Sequence, residues 1–194
     1  MLKTTADDGS VDWLYQPVVV ANSFHDPDST AGTDAGLNYA YYDRGPQRQV
    51  SVAGVEESPA ISLAGLAQQN PAATGIAPRI DASLRRRDDN YAIVFDGFLN
   101  VPADGGYTFM LLARDEARLE IDSVPVAFSP KPFAQVCGSP GNAVQAATGS
   151  IGLRAGRHAI RISMTHTAGP NDFAVKWQEP GLTLSDIPAT ALSH

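Results

Sequence analysis

Apolar and polar residues alternate along much of this chain, with the two-residue period of a half-buried β-strand. In His158 to Thr165, His158, Ile160, Ile162 and Met164 fall on one face, and Arg161, Ser163 and Thr165 on the other. Phe173, Val175 and Trp177 share a face in the same way, as do Leu37, Tyr39 and Tyr41 in Leu37 to Tyr42. At the centre stand three β-favouring runs, Tyr91 to Leu99, Tyr107 to Ala113 and Arg118 to Ile121. The turn signals Pro102 to Gly106 and Arg114 to Ala117 separate them. Val124 to Phe128 and Ser150 to Leu153 read as short strands, and Ala155-Gly156-Arg157 is expected to join the latter to His158 to Thr165 as a hairpin. Trp13 to Ala21 reads as one more strand, made an edge or split by Pro17, with Val18-Val19-Val20 buried. Only Ile61 to Gln69 has helical spacing, with Leu63, Leu66 and Ala67 on one side.

Between these runs lie loops. Met1 to Ser10 is a polar, flexible lead-in, Asn22 to Gly36 is rich in Asp, Pro, Ser, Thr and Gly, and Thr167 to Asp172 holds Gly169 and Pro170. Ser129 to Gly149 reads as one long loop, of a length that is functional or disordered. Arg85-Arg86-Arg87-Asp88-Asp89 compensates its own charge and reads as a solvated turn. Closely spaced antiparallel strands of this kind build an all-β fold, an antiparallel β-sandwich with long loops and one short helix.

Composition narrows the classes. The 194 residues suffice for one ordinary domain, and 43% hydrophobic content argues for a packed core. A net charge of −7 argues against nucleic acid or an anionic membrane as the main partner. No apolar run is long enough to span a membrane as a helix, and Met1 leads into polar sequence rather than a signal peptide. The abrupt start suggests an excised piece of a longer protein. Cys137 is the single cysteine, so neither an internal disulfide nor a Cys/His metal cluster is expected.

The sequence contains no G-x-S-x-G elbow, no H-E-x-x-H, no phosphate loop and no dinucleotide fingerprint. Cys137 lies in a Pro/Gly-rich loop without an adjacent histidine and reads as a structural thiol. His158 sits on an apolar strand face and reads as a satisfied, buried histidine; His25, His166 and His194 are in or beside loops or at the end of the chain. Among 21 acidic residues no pair stands out as a glycosidase couple. The chain is therefore expected to be non-catalytic. Asp26 and Asp28 around Pro27 admit calcium ligation or an Asx-type turn, and the turn is the expectation.

A family resemblance runs through these same elements. Phe95, Gly97, Phe98, Leu99, Pro102, Gly105, Tyr107, Thr108 and Phe109 follow the pattern aromatic-x-G-[FY]-[LI]-x-x-P-x-x-G-x-Y-T-F. Asp115, Arg118, Leu119, Ile121 and Asp122 follow S-D-D-G-x-R-L-x-I-D-G. Gly36, Leu37, Tyr41 and Tyr42 match an opening G-L-x-x-x-Y-[FY], and Ile80, Asp81, Ser83, Arg87, Asp89, Asn90, Tyr91 and Ala92 match a middle segment. Leu153, Ala155, Gly156, His158, Ile160, Arg161 and Ile162 fit V-x-L-x-A-G-x-H-x-I-R-I. Trp177, Pro180 and Gly181 with Ile187, Pro188 and Leu192 fit the closing W-x-x-P-G and I-P-x-x-x-L. Together these motifs resemble the protective-antigen fourteen-kilodalton domain, a β-sandwich module of toxins, adhesins and carbohydrate-active enzymes. The resemblance divides the chain into residues 1–35, a lead-in, linker or tail of a preceding domain, and residues 36–194, the sandwich.

It also implies a site. In adhesin relatives two adjacent aspartates after the Y-T-F strand hold calcium, and the ion accepts sugar hydroxyls. The matching positions here are Arg114 and Asp115, followed by Glu116. An arginine repels the ion, so no cofactor is expected; calcium would need Asp115 and Glu116 as its pair. Arg114, Asp115, Asn171 and Asp172 are positioned to hydrogen-bond a glycan without metal, and Phe133 is a candidate for stacking on a sugar. The function implied is a non-catalytic, glycan-binding accessory domain of a larger secreted or periplasmic carbohydrate-active enzyme. The partner would be a glycan or polysaccharide, together with a catalytic domain of the same parent chain. The alternative is a structural or interaction module without a sugar site. The location implied is secreted, cell-surface or periplasmic.

Overall fold

The computed structural model describes residues 23–29, 34–43, 61–130 and 144–194, and the backbone of 2–5 and 11–14. Two strands, β1 (Leu2–Thr5) and β2 (Val11–Leu14), pair antiparallel with each other. The lead-in expected to be flexible thus contributes a strand. The Trp13 to Ala21 strand is seen only as far as Leu14, and Val18-Val19-Val20 lies outside the described residues. The remaining strands are β3 (Leu37–Asp43), β4 (Ala73–Ala77), β5 (Tyr91–Val101), β6 (Gly105–Ala113), β7 (Ala117–Ile121), β8 (Val124–Ser129), β9 (Gln145–Leu153), β10 (Gly156–His166), β11 (Phe173–Gln178), β12 (Ser185–Asp186) and β13 (Leu192–Ser193). The expected helix is one turn, α1 (Leu63–Leu66).

Two antiparallel sheets form a sandwich. One has the order β4-β3-β5-β10-β7-β8, with β13 also on β5; the other runs β12-β11-β6-β9. Period-two burial follows from this layering. In β6, Tyr107, Phe109, Leu111 and Ala113 point inward, and Ile160, Ile162 and Met164 of β10 face them with Leu119 and Ile121 of β7. Trp177 lies in the same core, 2% exposed and tilted against Tyr107 at 5.8 Å between ring centroids. The start of β5 is buried on both faces. Tyr91, Ile93 and Phe95 join the main core, while Ala92 and Val94 pack under Ile61 and Leu66 on the outer side. The unbroken apolar run Tyr-Ala-Ile-Val-Phe therefore reflects a strand covered twice.

Consecutive strands change sheets from β5 to β6 and from β6 to β7, so these neighbours in sequence do not pair. The expected hairpin around Ala155-Gly156-Arg157 is another such crossing. β9 pairs with β6, whereas β10 pairs with β5 and β7. A turn signal fixes where the chain reverses, not which sheet the next strand joins. Gly156, at φ +136, makes this corner where Pro27 packs so closely that a Cβ would sit 2.5 Å from it. The β7–β8 hairpin is tight, with Asp122 and Ser123 both at positive φ, 49 and 65, as a type I′ turn requires.

Two further β segments were unexpected, besides β1 and the two-residue β12 and β13. Ala73–Ala77, lying between Pro71 and Pro78, pairs with β3. Gln145–Gly149, assigned above to the long loop, is the first half of β9 and pairs with β6 from Ala113 to Phe109. Its small residues carry little strand signal because β8 crowds them: a Cβ on Gly149 would lie 1.7 Å from the Val126 carbonyl oxygen.

Candidate functional site

The loop after β6 and the loop before β11 meet at one end of the sandwich because the two strands pair, Ala113 opposite Phe173. Arg114 spans the gap. Its Nε donates to the Pro170 carbonyl at 3.0 Å, and a terminal N–H donates to the Asp172 carboxylate. The Arg114 side chain is 17% exposed and that of Asp172 42%, so the pair meets solvent mainly through Asp172. Asn171 lies between Pro170 and Asp172, partly buried. Arg114, Asn171 and Asp172 are thus brought together.

Asp115 and Glu116 turn away from each other. Asp115 is 3% exposed; its Oδ2 accepts the Thr167 N–H at 2.9 Å and lies 3.6 Å from His166 Nδ1. Glu116 Oε2 accepts the Leu63 N–H at 2.9 Å, at the start of α1. Each carboxylate is committed to a separate backbone donor. No group of three or more His, Cys, Asp or Glu that suits a metal ion occurs among the described residues. Phe133 and Cys137 lie outside the described residues.

The loop aspartates of residues 23–29 also have partners. Asp26 pairs with Arg154 at 2.8 Å, and the Asp28 N–H donates to the Arg157 carbonyl at 2.8 Å. This segment docks on the β9–β10 corner, where His25 bridges to Leu153.

Buried polar groups form two clusters. His158, fully buried, places Nδ1 2.8 Å from Asp122 Oδ2 and Nε2 2.8 Å from the Arg154 carbonyl. Asp122 Oδ1 also accepts the Ala159 N–H at 3.0 Å, so this histidine pins the β7–β8 turn, as expected of a satisfied core residue. The second cluster was not foreseen. Tyr41 and Tyr91 stack at 5.8 Å, and His166 tilts against Tyr91 at 5.2 Å, next to Asp115. The Tyr91 hydroxyl and Nε2 of His166 have no hydrogen-bond partner. Burial pushes the Tyr91 hydroxyl up to about 12. Strand alternation marks Tyr41 as inward but gives no sign that His166 would meet it.

The family model described as the PA14 domain matches residues 34–191. No curated protein matches the chain. Among solved structures, an anti-sigma factor domain-containing protein from Clostridium clariflavum is 21% identical, with 98% of this chain and 58% of that chain covered, at a TM-score of 0.57. The present chain therefore spans little more than half the length of that protein. A PA14 sugar-binding domain from an RTX adhesin is 19% identical over 84% of this chain and 99% of its own, at a TM-score of 0.61. The Epithelial Adhesin 9 A domain from Candida glabrata, solved with Galβ1-4GlcNAc, is 14% identical over 87% of this chain and 95% of its own, at a TM-score of 0.57. Likeness at these identities establishes the fold. No helix among the described residues is long and apolar enough to cross a membrane.

Proposed function

The chain belongs to the PA14 domain family, and from that premise we propose that it is a non-catalytic, glycan-binding module of a larger secreted or periplasmic carbohydrate-active enzyme. The observation that carries this reading is the family match over residues 34–191. A sugar-binding domain and an adhesin holding a galactosyl disaccharide share the fold, which supports glycan as the ligand. The enzymatic parent follows from the family resemblance, since modules of this kind occur in carbohydrate-active enzymes.

The site sits at the loop end of the sandwich and works without metal. Arg114 supplies the positive charge there and holds Asp172 in place. The Asp172 carboxylate, 42% exposed, presents acceptors that suit sugar hydroxyl groups. Asn171 offers both donor and acceptor groups beside it. Asp115 and Glu116 serve as supports, one holding the Thr167 backbone and the other the Leu63 backbone.

A second reading, a structural or interaction module, is favoured by one observation. Arg114, Asp115 and Glu116 each make hydrogen bonds within the chain. A glycan array probed with the purified chain, in calcium and again in chelator, separates the two. Binding that survives chelator is the result expected. Binding lost in chelator would restore calcium to the site, and silence in both conditions from a folded chain would establish the second reading.

A further inference from the structure

The outer face of the larger sheet carries an ordered polar row. Asn38 of β3 lies opposite Asp96 of β5, Asp96 opposite Arg161 of β10, and Arg161 opposite Glu120 of β7. With strands ~4.8 Å apart, these four side chains mark a line about 14 Å long across the sheet. Signs alternate along it. Arg161 Nη1 donates to Asp96 Oδ1 at 2.9 Å, and Arg118, one step along β7, approaches Glu120 at 3.9 Å.

Beside the row is a groove of about 420 Å³. Val94 and Ser163 form its floor, Leu63, Leu66 and Ala67 of the α1 segment its apolar wall, and Tyr42 one end. A second depression of about 420 Å³ lies on the other side of the Arg161–Glu120 pair, which both hollows share. The wall is fixed in place, because Glu116 accepts the Leu63 N–H and Leu66 packs on Val94. The charged heads are not buried: the side chains of Arg161 and Arg118 are 54% and 45% exposed.

We infer that this groove is a second saccharide site, separate from the loop end. Its chemistry selects against a charged ligand, since each cation already faces an anion and the row has no net field to attract an ion. A neutral polyol fits. Each guanidinium carries five donors and each carboxylate several lone pairs, so the paired groups retain capacity for hydroxyls on both sides of the line. Neighbouring hydroxyls of one ring are met by donor and acceptor in turn. The apolar wall of Leu63, Leu66 and Ala67 receives the C–H face of the ring, and the length of the row suits a short oligosaccharide rather than a single unit. This inference rests on the reading of the chain as a glycan-binding module.

The test is an amide-resolved NMR titration of the full chain with maltotetraose, cellotetraose and N-acetyllactosamine in turn. At least one should shift the amides of Val94, Ser163 and Arg118 in a saturable manner. Arg161→Ala and the milder Glu120→Gln should each weaken that response tenfold or more, while the spectrum elsewhere stays that of the folded wild type. If Arg161→Ala fails to fold, Glu120→Gln alone decides. Shifts confined to Arg114, Asn171 and Asp172 would overturn the groove and leave the loop site standing. An equal response in both groove variants would also overturn it. No response to any of the three sugars would overturn the groove and, together with a silent glycan array, the glycan reading itself.

Discussion

Arg114 and Asp172 are 58 residues apart in sequence and joined by a hydrogen bond, so the loops before β7 and before β11 act as one unit. Arg114 also stands where the family resemblance places the first aspartate of a calcium pair. Calcium should therefore leave the melting temperature of the wild type unchanged. Arg114→Asp should acquire a calcium-dependent rise, since it supplies oxygens facing Asp172; at a hundredfold excess over Kd the gain is about 2.7 kcal/mol. A calcium-dependent rise in the wild type would contradict this account of Arg114.

The turn that places Asp122 against His158 offers a stability test. Asp122→Ala leaves Nδ1 of a fully buried histidine and the Ala159 N–H without their partner. The expected cost is about 3 kcal/mol, read from urea unfolding. A change below about 0.5 kcal/mol would show that His158 finds another partner.

Ser123 occupies the left-handed region at φ 65 beside it. Ser123→Gly should stabilise the chain by about 0.5–1 kcal/mol, because glycine adopts this conformation without a Cβ clash. A lower melting temperature would mean that the serine side chain contributes something the backbone argument omits.

Tyr91 gives the pH dependence. Burial raises its hydroxyl from 10.0 to about 12, so the folded state holds this proton more tightly than the unfolded one. The associated stability is fully present below pH 10 and is lost as pH rises from about 10 towards 12, about 3 kcal/mol in all. Tyr91→Phe should flatten that alkaline decline. Because the hydroxyl has no partner, the same substitution should be neutral or stabilising at pH 7. Marked destabilisation at pH 7 would mean that the hydroxyl is bonded after all.

Gly149 tests the contact between the two sheets. Any side chain there meets the Val126 carbonyl, so Gly149→Ala should cost about 2 kcal/mol or more through displacement of β8. An unchanged melting temperature would mean that β8 is held less closely.

The central strands were legible because period-two alternation is strong from Tyr107 to Ala113 and from His158 to Met164, where one face is fully buried. Sheet membership was not. Ala155-Gly156-Arg157 looks like a hairpin turn, and only the packing of Leu153 and Ile160 from opposite layers reveals a crossing. The first half of β9 was hidden because close approach of β8 demands small residues, which carry no strand preference. At the site, Arg114 and Asp172 were legible as neighbours through the family pattern. The separation of Asp115 from Glu116 was not, because it depends on backbone donors at Thr167 and Leu63, 52 and 53 residues away.

The most direct test of the central claim is isothermal titration of wild type and Arg114→Ala with the strongest ligand from the glycan array, both in chelator. The account predicts measurable binding by the wild type and at least a tenfold weaker affinity in the variant, with both chains folded. Equal affinity in the two would remove Arg114 from the site, and no binding by the wild type would contradict the glycan-binding function itself.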